Sequence, residues 1–141
     1  ITVGAADEKI AMLWDKFREG AAEAGKDASA MRTQLQVHVS WAPTQAEAEE
    51  NALKEWPNGG MPFPKQDIKN PEDFAAMAKM VRPEHFVNRV LMTSDLKAHT
   101  AHIQHYVDMG CDEVHLHNVG RNQAEFIEVF GKEVLPALKL G

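Results

Sequence analysis

The clearest pattern in the chain is Gln34-Leu35-Gln36-Val37-His38-Val39-Ser40-Trp41, where apolar and polar residues alternate. Alternate residues of an extended chain point to opposite faces. The stretch therefore predicts a strand with Leu35, Val37, Val39 and Trp41 on a buried face. Upstream, Ile1-Thr2-Val3 before Gly4 reads as the end of a buried strand. Ile10, Leu13, Trp14, Phe17 and Ala21 then recur at helical spacing. Asp7 stands where it can cap that helix, and Gly25 is placed to end it.

Beyond Trp41, Pro43 stops the strand, and Thr44 with Glu47 three residues on forms a capping box. The helix so opened runs to about Trp56. From Pro57 to Lys65, three prolines and two glycines predict an irregular segment. Asn70 can cap a short helix carrying Phe74, Met77 and Met80, closed by Pro83. Val90-Leu91-Met92 is a short extended run. Ser94 or Asp95 can cap a helix through Ile103 and Val107 to Gly110. Glu113-Val114-His115-Leu116-His117 predicts a strand and Gly120-Arg121-Asn122 a turn. A last helix carries Phe126, Val129, Phe130, Val134 and Leu135.

Strands that alternate with helices in this way predict an α/β fold, a parallel sheet with helices packed outside it. We find no linker, so residues 1–141 are expected to form one domain. Parallel strands are normally covered on both faces. Three main strands make a small sheet with open edges, and the chain is expected to need a further covering partner. A strand pattern that starts at the first residue, with no initiator Met, points to a longer parent protein.

Composition narrows the function. A formal charge of −6 with no basic cluster argues against a nucleic-acid partner and against attraction to an anionic membrane. No apolar run approaches the roughly 20 residues of a membrane-spanning helix. The single cysteine, Cys111, allows no internal disulfide, so a cytoplasmic location is the simplest expectation. Cys111 itself reads as a small buried residue.

The seven histidines invite a metal reading. His99, His102 and His105 lie three apart on one helix but spread over much of its circumference. They read as surface residues rather than as ligands. His115 and His117 share one face of the last strand and are candidates for lining a pocket, against the plainer alternative of packing with satisfied hydrogen bonds. There is no dinucleotide fingerprint or phosphate loop, and Gly59-Gly60 is too short to count as one. Two cations stand out: Lys65 after the proline-rich loop, and Arg89 before Val90-Leu91-Met92. Either could bind an anionic group, although most such side chains are simply solvated.

Three stretches, in order, carry a resemblance. They are Ile1-Thr2-Val3-Gly4; the segment from Trp56 to Pro83, with Trp56-Pro57-Asn58-Gly59-Gly60 and Lys65-Gln66-Asp67-Ile68; and the close from Asp108 to Pro136. The last holds His115-Leu116-His117-Asn118-Val119-Gly120-Arg121-Asn122-Gln123 and Val134-Leu135-Pro136. Together they resemble the C-terminal part of the bacterial-luciferase-like oxidoreductases, on the branch related to deazaflavin-dependent glucose-6-phosphate dehydrogenase.

The resemblance implies a TIM (β/α)8 barrel, of which this chain would supply about the last three strand–helix units and an insertion after the Gln34–Trp41 strand. It implies hydride transfer between a flavin-type cofactor, FMN or coenzyme F-420, and a small organic substrate. By motif position Thr2, Lys65 and Arg89 match residues of the family's substrate site. A further lysine of that site falls at Ala5. Loss of one hydrogen bond to a charged group is worth roughly 1.5–3 kcal/mol, so the resemblance does not carry the substrate with it. The family's catalytic residues and most cofactor contacts belong to the earlier part of the barrel. That part, or a second copy of this chain, is the implied partner. A half-barrel without it could act only as an assembly or binding module.

Overall fold

The computed structural model describes residues 1–62 and 64–139. It contains four strands: β1 (Thr2–Val3), β2 (Gln34–Ser40), β3 (Leu91–Met92) and β4 (Glu113–Asn118). All three strand pairings are parallel and all involve β2. The three segments expected to run side by side in one direction do so, and Leu91–Met92 adds a short fourth strand.

The register sets where a site can form. The odd-numbered carbonyls of the β2 segment face β4: Glu113 N–H donates to Thr33 O and Val119 N–H to Val39 O. The even-numbered ones face the other edge, where Gly4 N–H donates to Gln36 O and Thr93 N–H to Ser40 O. Thus β4 pairs along the whole of β2, from Gln34↔Glu113 to Val39↔Asn118. β1 and β3 share the opposite edge end to end, β1 at Leu35 and Gln36, β3 at Val39 and Ser40.

The sheet has one apolar and one polar face. Leu35, Val37 and Val39 are buried beneath the helices α1 (Asp7–Glu23), α5 (Leu96–Asp108) and α6 (Gln123–Val129). Ile10 and Trp14 of α1 meet Leu35, Val37, Tyr106 and Cys111. Farther along, Val39 and Trp41 pack with Ile103, Phe126, Phe130 and Val134. Burying each such side chain contributes roughly 1.5–3 kcal/mol. Gln36, His38, His115 and His117 project from the other face and stay partly exposed. The sheet is open: it does not close into a ring.

A third apolar cluster sits at the C-terminal end of the strands. Ala52 of α2 (Gln45–Glu55), Met61, Val81, Phe86, Val90 and Val119 form it, with Phe74 and Met77 of α4 (Pro71–Ala78) packed against it. The Thr44 capping box is present as expected: Thr44 Oγ1 accepts from Glu47 N–H at 3.3 Å, and Glu47 Oε2 accepts from Thr44 N–H at 3.2 Å.

Several local expectations need correction. Pro57–Gly60 is a helical turn, α3, rather than irregular chain. Proline is at home in the first turn, where its missing N–H is no loss, and both glycines are packing devices. A Cβ on Gly59 would stand 2.6 Å from Trp56 Cδ1, and one on Gly60 2.6 Å from Val81 Cγ1. Asp7 is the first residue of α1, with Ala6 as its cap. Asn70 makes no capping bond to the backbone; its Nδ2 donates to Asp73 instead. The last helix tightens and loosens: α6 runs into a π turn over Phe130–Val134 and a short 3-10 turn over Leu135–Ala137. Pro136, which has no N–H to donate, lies in that last turn. His99 is fully buried, not a surface residue. It lies on the inner stripe of α5 with Ile103 and Tyr106, its ring edge-on to Phe130 at 5.1 Å, and its Nε2 bonds Thr93 O at 2.9 Å.

No helix among the described residues is long and apolar enough to cross a membrane.

Candidate functional site

Because β1 and β3 abut the same edge of β2 without touching the same residues, a recess opens where they meet. Its volume is about 750 Å³. Gly4 to Asp7 of the β1–α1 turn form one side, Val87 to Met92 another, and His102, His105 and Tyr106 of α5 a third, with Val37 and His38 behind. In β/α barrels, function gathers at the C-terminal ends of the strands, and this recess lies at the end of β1.

Arg89 is the only lysine or arginine among the described residues that line it. Asn88 precedes it at φ +61°, a left-handed conformation that asparagine tolerates better than most residues. The turn is closed by Arg89 N–H donating to Phe86 O at 2.8 Å. The guanidinium Nη1 donates to Met61 O at 2.7 Å, which steadies the group and leaves its other donors for a ligand. Opposite, the Tyr106 phenol is held above its usual range by burial and then by the nearby Asp7 carboxylate, so it stays a donor. His105 Nε2 and Asp7 Oδ1 lie 3.0 Å apart at the rim. His102 is biased towards its neutral form by burial and by the adjacent His99 and His105.

The other expected contacts lie elsewhere. Lys65 Nζ donates to Asn58 O at 2.5 Å, so both Lys65 and Arg89 are tied to carbonyls of the Asn58–Met61 segment. Lys65 does not line the recess. Thr2 pairs with Leu35, which puts it on the helix-covered face of the sheet. It lines a separate recess of about 250 Å³ with Leu13, Trp14 and Phe17. Thr2, Lys65 and Arg89 are therefore not brought into a single pocket. Ala5 stands at the rim of the Arg89 recess and offers no charge there.

His115 and His117 do share the polar face, and their surroundings differ. His115 Nε2 is 3.5 Å from Glu113 Oε2 and half exposed. His117 meets His38 across the β2–β4 pair, Nδ1 to Nδ1 at 2.8 Å. Trp56, at the C-terminal end of α2, covers both rings, with centroids 4.7 Å from His117 and 5.4 Å from His38. Gly59 leaves room for the Trp56 ring, since a Cβ there would stand 2.6 Å from Trp56 Cδ1. Burial, then the charge of His117, keeps the His38 pKa below its usual value. No group of three His, Cys, Asp or Glu side chains among the described residues could hold a metal ion.

His38 was not singled out from the sequence. Alternation alone places it opposite Val37 and Val39, but only the register Gln34↔Glu113 sets it beside His117. The Asn118–Gln123 motif, in turn, is structural. Asn118 Oδ1 accepts from Trp41 N–H at 3.1 Å, Asn122 Nδ2 donates to Trp41 O at 3.0 Å, and Gln123 Nε2 donates to Asn118 O at 2.8 Å. The first two bonds fasten the end of β4 to the end of β2, and the third closes the turn from β4 into α6.

Comparison with known proteins settles the family. Residues 1–113 match the profile of the luciferase-like monooxygenases. The chain belongs to that family. This luciferase-like chain is 26% identical over 121 residues to the F420-dependent glucose-6-phosphate dehydrogenase of Microbacterium testaceum, covering 86% of the chain and 36% of that protein. It is 30% identical over 122 residues to the enzyme of the same name from Mycobacterium leprae, with the same coverage. It is thus a distant relative that spans a little over a third of these proteins. Among solved structures it superposes on an F420-dependent secondary alcohol dehydrogenase in complex with an F420–acetone adduct. The TM-score is 0.74 at 27% identity, covering 97% of this chain and 42% of that one.

Proposed function

We propose that residues 1–141 are the C-terminal part, about three strand–helix units, of a β/α barrel oxidoreductase. It would move a hydride between a flavin-type cofactor and a small organic substrate. The observation that carries this reading is the two-faced parallel sheet, with helices over one face and a polar, open surface on the other. A barrel wall has this form, because its inner face meets the site and its outer face meets the helices. The relatives named above are F420-dependent, which favours coenzyme F-420 over FMN.

Neither cofactor is fully held by this chain. A flat tricyclic ring needs a slot and its tail needs donors. Trp56, His38 and His117 give one wall, and Arg89 one guanidinium. That set is too small to cradle the tail. The remaining contacts would come from an earlier barrel segment or from a second copy. Ile1 and Val3 are well exposed on β1, whose only described strand neighbour is β2, and that edge can accept a further strand. When bound, the cofactor supplies the hydride chemistry. The chain's own part is to position substrate: Arg89 takes an anionic group in the recess and Lys65 steadies the adjoining segment.

Two measurements test the proposal. The intact mass of the source protein should be more than twice that of this chain. That protein, but not this chain alone, should retain F-420 or FMN through gel filtration. Retention by the isolated chain, or by neither, would overturn it, and the reading as a binding or assembly module would replace it.

A further inference from the structure

We propose that the recess at the end of β1 takes a ligand with charges of both signs: an anionic group at Arg89 and a primary ammonium group at Asp7 and Tyr106. The inference deepens the proposed function and rests on it only for the anion at Arg89. Among the described residues, Asp7 is the only carboxylate that lines the recess, as Arg89 is the only lysine or arginine. They stand on different walls: Arg89 follows Val87 and Asn88, whereas Asp7 opens α1. Ala5 and Ala6, beside Asp7, bring no charge. A purely negative ligand would gain at Arg89 and be opposed at Asp7. A ligand with one charge of each sign gains at both.

A carboxylate is at home in the first turn of a helix, so Asp7 alone would not mark a site. Tyr106 supplies the second observation. It is only 6% exposed, and its ring packs with Ile10, Trp14, Leu35 and Val37. The rings of His102 and His105 meet it edge-on, with centroids at 5.1 and 5.3 Å. Its hydroxyl lies beside the β1–α1 turn, where a Cβ on Gly4 would stand 3.8 Å away. That hydroxyl bonds no described residue. It is not sealed either: the sealed side-chain atoms without a partner are Trp41 Nε1 and His99 Nδ1. The phenol therefore opens into the recess that Tyr106 lines. A buried hydroxyl without a partner is costly unless water or a ligand meets it. Asp7 Oδ1 is engaged by His105 Nε2 at 3.0 Å, and Oδ2 has no partner among the described residues. An ammonium group carries three donors and no acceptor. Asp7 Oδ2 and the Tyr106 oxygen both accept, so the two suit it.

Titration calorimetry of the intact protein tests this with two pairs of probes of equal length: 4-aminobutyrate against butyrate, and 6-aminohexanoate against hexanoate. In at least one pair the amino acid should bind about ten- to hundred-fold more tightly, the effect of a hydrogen bond between charged groups. Asp7→Asn should abolish that preference, and Tyr106→Phe should reduce it several-fold. Arg89→Ala should weaken both members of the pair and keep their ratio. Asp7 and His105 are about half exposed, so Asp7→Asn should keep the wild-type melting temperature. Equal binding within both pairs, no binding of any probe, or a preference that survives Asp7→Asn would overturn the proposal. An amine preference in a protein that retains no cofactor would keep the ammonium site while the oxidoreductase reading falls. Retained cofactor without the preference would do the reverse.

Discussion

Asn118 holds the backbone of Trp41: its Oδ1 accepts the Trp41 N–H at 3.1 Å while its own Nδ2 donates to Asn122, which returns a bond to Trp41 O. The side chain is buried, and it is the point at which β2 and β4 are fastened beyond their ladder. Removing one partner of a buried hydrogen bond leaves the other unsatisfied, at a cost of roughly 1–3 kcal/mol. Asn118→Ala should therefore lower unfolding free energy by about 1–3 kcal/mol, read from urea denaturation. A loss within error of zero would mean that water replaces the lost bonds.

Much of this architecture was legible from pattern alone. The Gln34–Trp41 alternation, the Thr44 box and Gly25 each rest on local rules, and each appears in the fold; Gly25 does take a positive φ of 65°. What was not legible depends on distant partners. His99 looked like one of three surface histidines because helical spacing does not say which stripe is inward, and Phe130, 31 positions later, decides it. The His38–His117 contact needed the strand register. Lys65 and Arg89 were visible as cations, but their anchoring to Asn58 and Met61 carbonyls was not.

Two glycines should respond in opposite senses to the same substitution. A Cβ on Gly120 would lie 2.5 Å from Asn122 Oδ1 and 2.8 Å from Asn51 Nδ2. Asn122 is held by its bonds to Trp41 and Asn118, so the clash cannot relax freely. Gly120→Ala should cost about 1–3 kcal/mol, as overpacking does. Gly20 lies within α1 with nothing within 4 Å of a built Cβ. Gly20→Ala should add about 0.5–1 kcal/mol through helix propensity. Thermal melts of the two variants side by side check both signs.

Stability should fall on mild acidification. Burial holds the pKa values of His38, His99 and His102 below the usual histidine value in the folded chain. The unfolded chain takes up protons near pH 6.5 while the folded one resists, so the unfolded state binds more protons and stability rises with pH. That contribution is complete above about pH 6.5 and is lost as pH falls through the lowered folded values. Asp27, Asp112 and Glu113 are also held low, by hydrogen bonds from Ser29, Thr33 and Arg32 respectively. They act in a separate window, below about pH 4. Urea denaturation from pH 8 to 5 should show the histidine window, and His99→Gln should flatten its slope. A slope unchanged in that variant would remove His99 from the account.

The last prediction concerns Arg89, whose guanidinium is steadied by Met61 O and faces the recess at the end of β1. If it takes the anionic part of a substrate, its removal costs a charged hydrogen bond of roughly 1.5–3 kcal/mol. If the intact protein is the proposed oxidoreductase, Arg89→Ala should raise KM for an anionic substrate about ten- to hundred-fold and leave KM for neutral alcohols nearly unchanged. Arg89→Lys should recover part of the loss, since charge survives but the two-pronged geometry does not. Folding must be checked first, because the same guanidinium ties Met61, a fully buried member of the third apolar cluster. A variant with unchanged melting temperature and unchanged kinetics toward every anionic substrate would reduce Arg89 to a tie between the turn it follows and the Asn58–Met61 segment.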